Sequence, residues 1–97
     1  MLDFYLIKDD QITPDSPTEL EFIGQLDSKT FKNLKTKGII ENHYEYNSDF
    51  RWKSEQIKQI CQNNIDHKLQ NDTDVKQLFK IIEIIENTNS GIIAFGD

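Results

Sequence analysis

The sequence predicts an α/β chain of the α+β kind, a small single-sheet sandwich of three to four strands with about three helices. Three observations carry that prediction. Leu2 to Ile7 and Gly91 to Phe95 are short runs apolar on both faces, the pattern of strands inside a sheet. Two longer stretches, about 52–64 and 73–85, repeat apolar residues at helical spacing. At 97 residues the chain suits one core, so 1–97 is read as a single compact domain.

The elements follow in order. Leu2, Phe4 and Leu6 alternate with Tyr5 and Ile7, giving a first strand with two apolar faces. Residues 9–17 hold two prolines and short polar side chains, which mark a loop. Leu20, Phe22 and Leu26 recur at even spacing as in a half-buried strand, with Gly24 marking a bulge. Asp27 or Ser28 caps a short helix through Phe31 and Leu34, and Gly38 supplies its left-handed stop. Ile39 to Tyr46 reads as a strand, with Ile40, Tyr44 and Tyr46 on one side and Glu41, His43 and Glu45 on the other. A helix from about Arg51 or Trp52 to Asn64 carries Ile57, Ile60 and Cys61 on its inner stripe. Asp72 or Thr73 caps a third helix with Val75, Leu78, Phe79, Ile82 and Ile85 inward. Ile81 and Ile84 widen that stripe, so this helix packs on more than one neighbour. The stretch Asn87 to Gly91 stops it, and Gly91 to Phe95 closes the chain as a central strand.

Composition narrows the partners. Seventeen acids against eleven bases give a formal charge of −6, which disfavours a nucleic-acid backbone or an anionic membrane as partner. The single Cys61 leaves no intrachain disulfide, as expected of a reducing cytoplasm. The first eight residues carry Asp3 and lack a basic leader, so they read as a strand rather than a signal peptide. No apolar run approaches the ~20 residues a membrane helix needs. The charge is segregated: residues 1–27 sum to −6, residues 28–40 to +4 and residues 41–97 to −4.

Catalytic chemistry is sparse. His43 and His67 lie far apart without a zinc-ligand pattern, Cys61 sits on an apolar helix stripe, and no nucleophile elbow or phosphate-cradling glycine loop occurs. The carboxylate pairs Asp9/Asp10, Glu19/Glu21, Asp72/Asp74 and Glu83/Glu86 fit no calcium loop. No cofactor is expected, and the chain is read as a non-enzyme. The alternatives are a metal-binding protein or small enzyme using His43 with Glu45 and nearby acids, or a homodimeric structural subunit.

Two features point to a protein partner instead. Asp9, Asp10, Asp15, Glu19 and Glu21 concentrate negative charge near the N-terminus, suited to steering a basic partner. The segment His43 to Trp52 gathers four aromatics with the only arginine and the only tryptophan, the types that dominate binding hot spots. Within it Tyr44, Glu45, Tyr46 and Asp49 are candidate contacts, Trp52 is read as core, and Arg51 is expected to pair with Asp49 or Glu55.

The stretches Ser48-Asp49-Phe50-Arg51-Trp52 and Gly91-Ile92-Ile93-Ala94-Phe95-Gly96-Asp97 look like those of small bacterial proteins. In size, acidity and want of catalytic machinery the whole chain resembles the immunity proteins of polymorphic and contact-dependent bacterial toxin systems. That resemblance implies a cytoplasmic antagonist that binds a cognate toxin domain, often a basic nuclease, and blocks its active site or substrate groove. It transfers no binding residues.

Overall fold

The computed structural model describes residues 1–85 and 89–96. In chain order the elements are β1 (Leu2–Lys8), β2 (Glu21–Leu26), α1 (Ser28–Thr36), β3 (Phe50–Trp52), α2 (Ser54–His67), α3 (Thr73–Ile82) and β4 (Ser90–Phe95). The strands form one antiparallel sheet in the order β2-β1-β4-β3, so the α+β architecture holds. β1 and β4 are the two central strands, as their apolar patterning requires. A chain of this length packed at ordinary density has a radius of gyration of about 12–13 Å, and here it is 12.5 Å. Glu86, Asp97 and the Asn87-Thr88 part of the expected helix stop lie outside the described residues.

Residues directly opposite each other in an antiparallel ladder share a face. Phe4, Ala94 and Phe50 make one such row, and Leu6, Ile92 and Trp52 make the next. These rows look toward the helices. Phe31 and Leu34 of α1, Ile57 and Ile60 of α2, and Val75, Leu78, Ile81 and Ile82 of α3 close on them as one core. The alternate residues, Asp3, Tyr5, Ile7 and Ile93 among them, face the other way, where no helix lies among the described residues.

Both ends of α1 and the start of α3 follow the sequence, whereas α2 runs on to His67 and α3 stops at Ile82, short of the expected Ile85. Asp27 accepts from the Thr30 amide at 2.7 Å. Beyond α1 the Gly38 and Ile39 amides donate to the Lys35 and Leu34 carbonyls at 3.1 and 3.0 Å, with Gly38 at φ +79°. This is the double-bonded stop that favours glycine. Asp72 caps α3 by accepting from the Val75 amide at 3.1 Å. The end of α1 is tied to the start of α3, because the Lys37 ammonium reaches Asp72 at 2.6 Å and Asp74 at 2.9 Å.

That clamp makes a testable contribution. Its Lys37 ammonium, with the Val75 amide in a lesser role, holds the Asp72 carboxyl below its ordinary value of 3.8. A depressed carboxyl stabilises the fold above its unfolded value and loses that contribution as pH falls through the lower folded value. Lys37 is correspondingly raised by the two carboxylates, so its share persists until pH climbs through a value above 10.5. Lys37→Met is expected to cost about 1 kcal/mol at neutral pH, because the pair is partly solvated and the cost is discounted accordingly. Urea midpoints measured across the acid range should also fall less steeply in the variant than in the native chain.

Several elements differ from the sequence expectation. Residues 39–46 form turns rather than a strand, with the Tyr44 amide donating to Glu41 and the Ser48 amide to Glu45. Ile39, Ile40, Tyr44 and Tyr46 still face the core, because successive turns bring them there, and that mimics strand alternation. The strand forms instead at Phe50–Trp52, so the following helix starts at Ser54 and not at Arg51 or Trp52. In β2 the bulge occurs as expected, since Phe4 pairs with Gly24 and Tyr5 with Phe22. It shifts the phase, however, and Ile23 turns inward while Phe22 is 52 % exposed. α3 also approaches closely at Gly24, since a Cβ there would meet Ile81 Cγ1 at 2.6 Å. Ile81 thus gives α3 its second neighbour, whereas Ile84 is 46 % exposed.

Candidate functional site

The acidic loop between β1 and β2 is held at its start by two reciprocal contacts. Arg51 extends from β3 on the helix-free side and donates to the Lys8 and Gln11 carbonyls at 2.7 Å each, to the Asp9 carbonyl at 3.2 Å and to the Thr13 hydroxyl at 3.0 Å. The arginine therefore binds loop backbone in place of the expected Asp49 or Glu55. Planar guanidinium donors suit several carbonyls at once, and here they organise the turn. In return the loop caps α2. That helix begins after Lys53, which has no side-chain acceptor to offer its N-terminus. Asp9 accepts from the Ser54 amide at 3.0 Å and from the Ser54 hydroxyl.

These bonds, the Ser54 hydroxyl first, hold the Asp9 carboxyl below its ordinary range. Asp9→Ala is accordingly expected to lower stability by about 1 kcal/mol, the ordinary cost of losing a helix cap. It should also speed amide exchange in the first turn of α2, which hydrogen-exchange NMR reads directly.

Beyond the Arg51 contacts, the helix-free face carries a row of aromatics. Phe22 of β2, Tyr5 of β1 and Phe95 of β4 are in sequence edge to face, with ring centroids 5.6 and 5.8 Å apart. Ile93 and Ile7 beneath them are buried, while the three rings are at least partly open to solvent. Asp3 lies in register with Phe95 on one side and with Gln25 on the other. A cleft of about 230 Å³ continues the row, walled by Thr13, Pro14 and Asp15 of the loop, by Asp49 and Arg51, and by Ile93 and Phe95. Asp49 is oriented there, because its Oδ1 accepts from the Gly96 amide at 3.0 Å. Ile12 stands 89 % exposed near the start of the same loop.

The structure divides the residues singled out from sequence. Asp15 and Asp49 come together at the cleft, and Glu19 shares with Asp15 and Leu20 a neighbouring hollow of about 300 Å³. Asp10 and Glu21 are exposed, and Asp9 is occupied by the α2 cap. Tyr44 and Tyr46 lie on the other side of the sheet. Tyr44 packs on Phe50 and Trp52 with centroids at 5.0 and 5.6 Å, and Tyr46 meets Phe31 at 6.1 Å. Burial pushes the Tyr44 phenol up, with Glu41 adding to the shift. Glu45 is exposed between the two tyrosines. Tyr5, Phe22, Phe95 and Ile12 were not among the sequence candidates. The signal for Tyr5 was present, since a strand with Phe4 inward must turn Tyr5 outward.

For chemistry the arrangement offers carboxylates and aromatic rings. His43 faces Glu41 at 3.3 Å and stacks near Tyr44, so its carboxylate neighbour is Glu41 and not the expected Glu45. Burial raises the Cys61 thiol, which keeps it protonated at neutral pH. Among the described residues no group of three or more His, Cys, Asp or Glu side chains converges to hold a metal ion, and no helix is long and apolar enough to cross a membrane. The chain matches no protein-family model, no curated protein and no solved structure.

Proposed function

We propose that this chain is a non-enzymatic protein-binding module, and concretely an immunity protein. In this reading it is a cytoplasmic antagonist that binds a cognate, basic toxin domain and blocks its active site or substrate groove. The observation that carries the reading is the acidic loop, fixed by Arg51 and Asp9 beside an open aromatic sheet face. Clustered carboxylates raise the rate of encounter with a basic surface, and aromatic anchors supply the affinity once contact is made. Fixing the loop before binding lowers the ordering cost of association.

The test joins capture with protection. Tagged protein purified from its producing cells should retain a stoichiometric basic partner, identified by mass spectrometry. That partner, expressed alone, should arrest growth, and co-expression of this chain should relieve the arrest. Recovery of the chain by itself, or a captured partner whose activity it leaves untouched, would overturn the immunity reading.

A further inference from the structure

We infer that the Phe22–Tyr5–Phe95 row is the docking surface, and that it receives an arginine-bearing segment of the protein partner. This deepens the binding reading above and rests on it. The three rings cross β2, β1 and β4 in contact with one another, on the face opposite the core. Edge-to-face contacts at 72° and 77° leave ring faces unstacked, and Phe22 is half exposed.

Charge selects the occupant. Asp3 flanks Phe95 within the sheet, and Asp15 and Asp49 flank it across the cleft. The cation among these residues, Arg51, already donates through both terminal nitrogens to the loop. A guanidinium satisfies both features at once, stacking on an aromatic face while its edge donates to a carboxylate. Lysine lacks the planar fork. A second copy of this chain would bring the same carboxylates against themselves, and a nucleic acid would bring phosphates against them, so both are disfavoured.

The experiment titrates isotopically labelled protein with an oligo-arginine peptide at low salt and follows amide shifts by NMR. Oligo-glutamate and a single-stranded oligothymidine serve as comparison probes. The arginine peptide is expected to move Tyr5, Phe22, Gln25 and Phe95. Phe22→Leu, which keeps apolar bulk and removes the ring, should weaken binding roughly fivefold. Phe22→Ser should weaken it at least as much, and Lys35→Gln on α1 should not weaken it.

Shifts confined to residues 10–19 would overturn this inference and leave the basic-partner reading standing. Unchanged affinity in both Phe22 variants would do the same. Absence of arginine-peptide binding would overturn both readings. Tighter binding of oligothymidine, or a dimer in sedimentation that Phe22→Ser dissociates, would overturn the inference in favour of nucleic acid or of a second copy.

Discussion

Trp52→Ala is expected to remove about 3–5 kcal/mol of stability, the usual cost of emptying a large aromatic site in a core. A domain of this length has a total of about 5–15 kcal/mol, so the variant should sit near or below the folding threshold. The reason is position. Trp52 is 1 % exposed at the last residue of β3, stacked on Phe4 at 5.8 Å and packed against Phe50 at 5.0 Å and Tyr44 at 5.6 Å. It joins the sheet, the 39–48 turns and α2 in one contact. A phenylalanine at this position would keep an aromatic ring against Phe4 and Phe50. Trp52→Phe should therefore cost much less than Trp52→Ala. Urea denaturation of the two variants checks the prediction, and equal losses would show that packing around this ring is not what matters.

Gly91→Ala is expected to destabilise by about 3 kcal/mol through overpacking rather than through a cavity. Gly91 is buried in β4, opposite Ile7. A Cβ there would meet backbone on the neighbouring segment: Lys53 Cα at 2.9 Å, Lys53 C at 3.0 Å, and the Trp52 carbonyl oxygen closer still. Backbone cannot swing aside as a side-chain tip does, so β3 must move away from β4. That displaces Ser54, and with it the bond to Asp9 that ties the acidic loop to α2. The variant should thus combine a lowered melting temperature with faster exchange at the start of α2. A melting temperature equal to that of the native chain would mean that this junction yields more easily than its geometry implies.

The sequence made some of this legible and hid the rest for identifiable reasons. Capping is local chemistry, so Asp27, Gly38 and Asp72 announced the ends of α1 and the start of α3. The two central strands were readable as continuous apolar runs, because Leu2, Phe4, Ile92 and Ala94 face the core while Ile7 and Ile93 are buried on the other face beside the partly open Tyr5 and Phe95. Residues 39–46 misled because two turns placed Ile40, Tyr44 and Tyr46 inward with strand-like spacing. β3 was hidden by its brevity, three residues just before a helix. The Arg51 and Asp9 contacts that fix the acidic loop were out of reach for a different reason. Arg51 meets carbonyls about 40 positions earlier in the chain, and Asp9 caps a helix 45 positions later. No spacing rule contains such contacts. The acidic loop was visible as composition, but which of its carboxylates are free was not: Asp9 is bonded to Ser54.

That distinction chooses the variant for the most direct test of the binding account. Asp10, Asp15, Glu19 and Glu21 are exposed and can be neutralised together, as Asn or Gln, while Asp9 is kept to preserve the α2 cap. The measurement is the association rate with the captured partner, by stopped flow, for the native chain and this variant between about 0.05 and 0.5 M salt. The native rate is expected to fall steeply with salt, and the variant to associate roughly tenfold more slowly at low salt with a flatter dependence. Equal rates and equal salt slopes in the two proteins would contradict the binding account.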